Sequence, residues 1–303
     1  MNSGLSAVLP IKVRSERHQT DLERAKMLLK SLQTFTAGEV FQNFYVVAAA
    51  SELSQIEDVL SPYLSIELQL IDENVLVPEF REHPTVGGWS RQQIIKLAIS
   101  RIADTPYYMT FDCDVLCTRE LDLETLLPGG KALLQLGSKE ICPNWWTSSA
   151  RLLGLDPKMK EPGMQVTPAI LSNRICGELL SELNRLGAPG GAFEYLMKPL
   201  DRLAWQRLTP GYKKKFRWTE YTLYYLFAEH RGLLQEHHVL CGTNEHPQLL
   251  IGDHGVWSTE DLASWQPEKA FSPEDPGLFC VVQSNTGVEP ELVWEKVSAF
   301  LSP

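Results

Sequence analysis

The sequence predicts an α/β fold, a central sheet joined by crossover helices, and two observations carry that reading. Segments with strand and helix patterning alternate through the first 120 residues, as they do in chains that build βα units. The composition, with 44% hydrophobic and 22% charged residues in a chain of 303, is that of an ordinary globular protein with a core of useful size.

Ser6 to Val13 (SAVLPIKV) reads as the first strand. A helix is predicted from Thr20, where Thr20 and Glu23 have capping-box spacing and Leu22, Ala25, Leu28, Leu29 and Leu32 recur on one face. Phe41 to Ala49 forms a second strand, Leu53 to Leu60 a helix stopped by Pro62, and Ile66 to Ile71 a third strand. In GGWSRQQIIKLAISRIADTP, Ser90 and Gln93 have capping-box spacing and Trp89 with Ile94 that of a hydrophobic staple. Ile95, Ala98, Ile99 and Ile102 give that helix its apolar face, and Gly87 and Gly88 before it allow a tight turn. The stretch YYMTFDCDVLC, Tyr107 to Cys117, follows as a fourth strand.

Beyond Leu121 the pattern is less regular. Helices are expected from Arg174 to Leu186, closed by Gly187, and from an N-cap at Thr219 to just before Gly232. Strands are expected at Gln165–Leu171 and Gly277–Gln283. GAPGGAF, Gly187 to Phe193, reads as a mobile loop. With no internal repeat or linker, the chain reads as one domain with two functional halves, residues 1–120 and 121–303.

The 28 Lys and Arg against 38 Asp and Glu give a net charge of −10, which disfavours a nucleic-acid partner. The densest basic cluster, Lys213, Lys214, Lys215 and Arg217, is either a solvated turn or an anion-facing loop. Six scattered cysteines form neither a C-x-x-C pair nor a zinc pattern and suit a reducing compartment. The N-terminus lacks a basic n-region, and the longest apolar run, Phe44 to Ala50, is far short of the roughly 20 residues a membrane span needs. A cytoplasmic protein with at most peripheral membrane contact is the expectation.

Asp112 and Asp114 close an apolar strand, and in an open α/β sheet ligands bind beyond the carboxyl ends of strands. Hard divalent cations take oxygen ligands, and Mg²⁺ is commonly held by one or two carboxylates together with substrate phosphates. D-x-D occurs once in the chain and follows three βα-type units.

Together with Gly88, Trp89, Arg91, Gln92, Gln93, Lys96 and Leu97 of GWSRQQIIKL, and Trp218, Thr219, Glu220 and Tyr221 of WTEY, this resembles the GT-A-type, nucleotide-sugar-dependent glycosyltransferases. In particular it is similar to a largely uncharacterised bacterial family with G-W-x-R-Q-Q, D-x-D and W-[ST]-E-Y elements. The resemblance implies a mixed, mostly parallel sheet flanked by helices, a UDP- or GDP-sugar donor, a glycan or small-molecule acceptor, and Mn²⁺ or Mg²⁺. It places Asp112 near the ribose or metal, Asp114 on the metal, and a C-terminal histidine as third ligand: His254, ahead of His237, His238 and His246. Arg91, Lys96 and Trp89 become donor-binding candidates, with Arg91 and Lys96 expected on the polar side of their helix.

An inverting transfer needs a base within hydrogen-bond reach of the acceptor hydroxyl. Glu220, in a first helical turn, is the candidate, with Asp253 and Glu194 behind it; in a retaining reaction Glu220 would bind the acceptor instead. Trp218, Tyr221 and, of the adjacent Trp145 and Trp146, Trp146 are candidate acceptor platforms, since in an extended segment only one of two neighbours faces inward and the other is left for a binding surface.

Three alternatives share parts of this pattern. A sugar-1-phosphate nucleotidyltransferase would need a glycine-rich loop after the first strand, where PIKVRSERHQTDLER has none. A phosphohydrolase with Asp112 as nucleophile would carry Thr or Val where Leu116 stands. A non-catalytic glycan binder would need no nucleotide.

Overall fold

The structure is a computed structural model that describes residues 4–13, 16–36, 39–63, 67–164, 167–200, 217–250, 255–274, 277–284 and 287–301. Its main sheet is built from β1 (Leu5–Pro10), β2 (Phe41–Ala48), β3 (Leu68–Asp72), β4 (Tyr107–Thr110) and β7 (Ala169–Ser172), in the order β3-β2-β1-β4-β7. The first four run parallel and β7 pairs antiparallel with β4. The sheet is thus mixed and mostly parallel. Every residue of β1 and β4 is buried, because helices cover both faces of the sheet and such strands read as unbroken apolar runs.

α1 (Glu16–Phe35) and α2 (Leu53–Leu60) cover one face, with Ala7, Leu9, Phe44, Val46 and Met109 packing against Leu28, Leu29, Leu32 and Ile56. The short α3 (Glu73–Leu76), capped by Asp72, leads to α4 (Gly88–Ala98) on the other face. There Val8, Val47 and Tyr108 meet Ile94, Ile95 and Leu97. α6 (Pro143–Leu153), α7 (Asn173–Leu186), α8 (Gly191–Met197) and α9 (Glu220–His230) complete that layer. Among the described residues no helix is long and apolar enough to cross a membrane.

Several boundaries differ from expectation. α1 begins at Glu16, so Thr20 lies inside the helix and is not its cap. α4 begins two residues before Ser90, with Gly87 in extended conformation as N-cap and no side-chain cap bond. α9 keeps its predicted start: Thr219 caps it, and Thr222 returns a bond to the Thr219 N–H. Trp145 and Trp146 belong to a helix, α6, which carries Pro143 at its first turn and left-handed Gly154 at its end.

The predicted fourth strand is two strands. β4 stops at Thr110, the chain turns through Asp112–Asp114 with Val115 N–H donating to Asp112 O (3.4 Å), and β5 (Val115–Cys117) enters a second sheet. After the short α5 (Leu123–Leu126) come β6 (Ala132–Leu134) and, later, β8 (His238–Leu240), β9 (Gln248–Leu250) and β10 (Gly277–Val281). The second sheet has the order β5-β10-β9, and β6 pairs with β8. The two aspartates therefore occupy a corner between sheets. They also stand where strand order reverses, since the chain runs outward from β1 to β2 and β3 and returns to β4 on β1's other side, the crevice position for ligands in open α/β sheets.

Candidate active site

The corner is pinned from the far end of the chain. Ser284 N–H donates to Asp114 Oδ2 (2.7 Å), and Val282 N–H donates to the Asp114 carbonyl (2.9 Å). Arg24, buried on α1, holds that C-terminal segment by donating to the carbonyls of Val282 and Val288. Burial, and then the adjacent Asp112 charge, push the Asp114 carboxyl up to about 6, although the Ser284 N–H pulls the other way.

Asp112 faces a buried cation. Lys96, from the last turn of α4, is 1% exposed and donates to Asp112 Oδ1 at 2.7 Å; its Nζ also lies 3.1 Å from Glu220 Oε1. The Glu220 side chain is 0% exposed. Lys96 Nζ is 3.3 Å from the Tyr221 hydroxyl, which sits 2.8 Å from Thr110 Oγ1 and 2.9 Å from Thr167 Oγ1. Burial alone would discharge the ammonium, but the Asp112 and Glu220 charges outweigh it and hold the Lys96 pKa well above its usual range. Burial raises the Glu220 carboxyl, with the Lys96 charge opposing. One ammonium thus joins the metal-candidate carboxylate to a carboxylate in the core.

Beside this cluster a cleft of about 250 Å³ opens over the carboxyl ends of β1, β2 and β3, lined by Ile11, Lys12, Ala49, Glu73, Gly88 and Arg91 among others. Its floor is fixed because Ile11 N–H donates to Val47 O (3.0 Å) and Val13 N–H to Glu52 Oε2 (3.0 Å).

The donor set suits a hard divalent cation. Lys96 engages one oxygen of Asp112, and the Ser284 N–H engages one oxygen of Asp114. Two adjacent carboxylates of which one is already reluctant to ionise gain from a shared cation. No group of three or more His, Cys, Asp or Glu among the described residues is arranged to hold a metal, so among those residues Asp112 and Asp114 are the candidate protein ligands, to be completed by substrate phosphate, water or a residue such as His254 outside them.

The other candidates are distributed as follows. Arg91 donates to Glu73 Oε1 (2.6 Å), Val86 O and Phe80 O and lies over the Phe80 ring, so its charge in the cleft is matched by Glu73. Lys96, expected on the polar side of its helix, is buried there against Asp112 and Glu220. Trp89 is not among the residues lining the cleft; it is 39% exposed, with Trp145 6.2 Å away and the Arg217 guanidinium 5.3 Å over its ring. Trp146 and Trp218, at 0% and 2% exposed, are core residues with no face for a sugar. Trp146 packs edge-on to Tyr225 with the Lys139 ammonium over it. Tyr221 is buried and its hydroxyl is bonded within the cluster. Glu220, fully buried against Lys96, has no surface from which to reach an acceptor hydroxyl.

Tyr107 begins β4 and its ring contacts His237, which puts His237 at the opposite end of that strand from Asp112. His238 Nε2 is buried 2.7 Å from the Tyr224 hydroxyl, and His246 N–H joins a turn by donating to Thr243 Oγ1. Glu194 is in the first turn of α8 and takes no part in the Lys96 bonds. Gly187–Phe193 is a tight junction between α7 and α8, held by Ala192 N–H donating to Asn184 Oδ1 (2.7 Å). Asp253, His254 and the lysines 213–215 lie outside the described residues.

The sequence reading missed Thr110, Thr167 and Ser284. The first two are unremarkable hydroxyls until Tyr221 gathers them, and Ser284 contributes a backbone N–H that no side-chain pattern reports.

The chain matches the family model described as a family of unknown function, DUF6492, over residues 2–303, and it belongs to that family. A comparison with curated proteins finds no match. Among solved structures, mouse xyloside xylosyltransferase 1 in its apo form is similar at 14% identity and a TM-score of 0.50, over 94% of this chain and 99% of that one. The galactosyltransferase LgtC, in complex with donor and acceptor sugar analogs, shares 9% identity at a TM-score of 0.47 over 97% and 95% of the two chains. Glucosyl-3-phosphoglycerate synthase from Mycobacterium tuberculosis, with Mn²⁺ and UDP, shares 12% at 0.34 over 61% and 66%. At these identities likeness speaks to the fold: it is of the GT-A glycosyltransferase type, as the sequence predicts.

Proposed function

We propose that this protein transfers a glycosyl group from a nucleotide-diphosphate sugar, such as a UDP- or GDP-sugar, to an acceptor hydroxyl, with residues 1–120 supplying the donor half and 121–303 the acceptor half. The observation that carries the reading is the Asp112–Asp114 corner, set at the switch point of a GT-A-type sheet beside the cleft over β1, β2 and β3.

Asp112 and Asp114 would hold Mn²⁺ or Mg²⁺. That ion supplies charge neutralisation for the donor diphosphate and the departing nucleotide. Lys12, exposed at the cleft, would meet donor phosphate. Lys96 brings a second fixed positive charge to the junction of donor and acceptor, where a charge already desolvated costs little reorganisation during reaction. Glu220 acts through Lys96: it keeps the ammonium charged and in place, a positioning role in place of the base expected for it. The Tyr221 hydroxyl, with Thr110 and Thr167, fixes the height of Lys96 above β4.

Thermal-shift measurement against UDP, GDP, CMP and dTDP, each with and without Mn²⁺, tests this. A metal-dependent stabilisation by at least one nucleotide is expected. No stabilisation by any of them under either condition would end the donor-binding reading.

A further inference from the structure

The outer end of α4 carries a feature that the donor site does not use. Trp89, Gln93 and Lys96 recur at helical spacing, so Trp89 shares the α4 face of Lys96. At 1.5 Å per residue it stands about 10 Å along the helix from that ammonium. Trp145, on α6, sets its ring 6.2 Å from the Trp89 ring, inclined by 37°. Arg217, three residues before Glu220, lays its guanidinium 5.3 Å over the Trp89 ring. Three separate elements therefore converge on a partly open aromatic pair with a cation on it.

Stacking occupies only the face of a guanidinium. The N–H donors that such a contact does not use can serve an anion, most favourably in the two-pronged geometry of a carboxylate or phosphate. Among the described residues Arg217 makes no ion pair. Trp89 is 39% exposed, enough ring for the apolar face of a sugar. A donor whose diphosphate sits at Asp112 and Asp114 does not need a charge this far along α4, which leaves it for the acceptor.

We propose that Trp89, Trp145 and Arg217 form an acceptor subsite for a sugar bearing a negative charge, a carboxylate or a phosphate. This rests on the glycosyl-transfer reading for the word acceptor, but the binding itself can be measured without donor.

The test is isothermal titration of the full chain with three disaccharides of one linkage: uronate-bearing, phosphate-bearing and uncharged. The wild type should bind at least one charged form about three- to tenfold tighter than the uncharged one, the range expected for one well-placed guanidinium contact. Comparing the two charged forms separates carboxylate from phosphate recognition. Arg217→Gln should erase that preference and keep uncharged binding, while Trp89→Ala should weaken every form by about three- to tenfold. Both side chains are exposed, so both variants should melt with the wild type, and Trp145→Phe provides a milder check on the second ring. Equal affinity for charged and uncharged forms, or no binding of either, overturns the proposal, as does full affinity in Trp89→Ala.

Nucleotide stabilisation of the wild type is read in parallel. Charged-sugar binding without any nucleotide binding keeps the subsite and removes the transferase reading; the converse removes the subsite alone.

Discussion

Replacing Lys96 by methionine preserves most of the side-chain volume and deletes the charge that Glu220 faces in the core. Glu220 is 0% exposed and Lys96 1% exposed, and among the described residues nothing else donates to the Glu220 carboxylate. Removing one member of a buried pair leaves the other charge without compensation, at a cost of about 3–5 kcal/mol. With roughly 2–4 °C lost per kcal/mol in a chain of this size, melting should fall on the order of 10 °C. Asp112 adds little to that figure, because its side chain is 38% exposed and water can take over. The double variant Lys96→Met/Glu220→Gln removes both charges and should recover most of the stability, giving a coupling well above the roughly 0.5 kcal/mol expected of independent sites. Burial already raises the Glu220 carboxyl against the opposing Lys96 charge, so without Lys96 it should take up a proton readily. The Lys96→Met defect should therefore be smaller in mildly acidic than in alkaline buffer. Urea unfolding of the wild type, both single variants and the double variant measures all of this. A loss below about 1 kcal/mol for Lys96→Met, or a double variant as unstable as the two singles summed, would refute the buried-pair reasoning.

Further outcomes are expected of other residues. Asp114→Ala should abolish Mn²⁺-dependent stabilisation by nucleotide in a thermal-shift assay, while the melting temperature without ligand stays within a few degrees of wild type. His238 is 5% exposed and burial lowers its pKa to about 3, so it stays neutral in the fold but charges in the unfolded chain near pH 6.5. Its contribution is complete above that value and is lost as pH falls toward 3, amounting to about 2 kcal/mol at pH 5; urea titrations at pH 7 and 5 measure the slope, which His238→Gln should flatten. Trp146→Ala should cost about 3–5 kcal/mol because it empties a fully buried site. A normal melting temperature in that variant would contradict its place in the core.

Features written in local chemistry were legible in the sequence. The Leu53–Leu60 helix is found at its predicted ends, and Thr219 is the cap its side-chain chemistry announces, because caps and stops act over three or four residues. The aspartate pair was legible from the βα units before it. The burial of Lys96 was not legible, because a lysine on a helix normally reaches solvent; what holds it in the core is a carboxylate 124 residues further along the chain, and no window on α4 contains that fact. The tryptophans were exchanged for a related reason. Treated as extended, Trp145 and Trp146 alternate sides, whereas in α6 Trp146 turns into the core and Trp145 toward Trp89. Pro143 and Gly154 were the local signs of that helix. The corner at Asp112–Asp114 escaped notice because an apolar run says nothing about which sheet its second half joins.

The Ser284 N–H on Asp114 spans 170 residues, and Arg24 ties the same C-terminal segment back to the first helix. During synthesis, then, the sheet of β1 to β4 can form long before its corner is complete, because Asp114 lacks this partner until residue 284 has emerged. A chain cut short near residue 280 would keep nearly all of its core yet lack the strap that orients Asp114. The carboxylate of Asp114 is thereby set by chain that is made long after the strand that carries it.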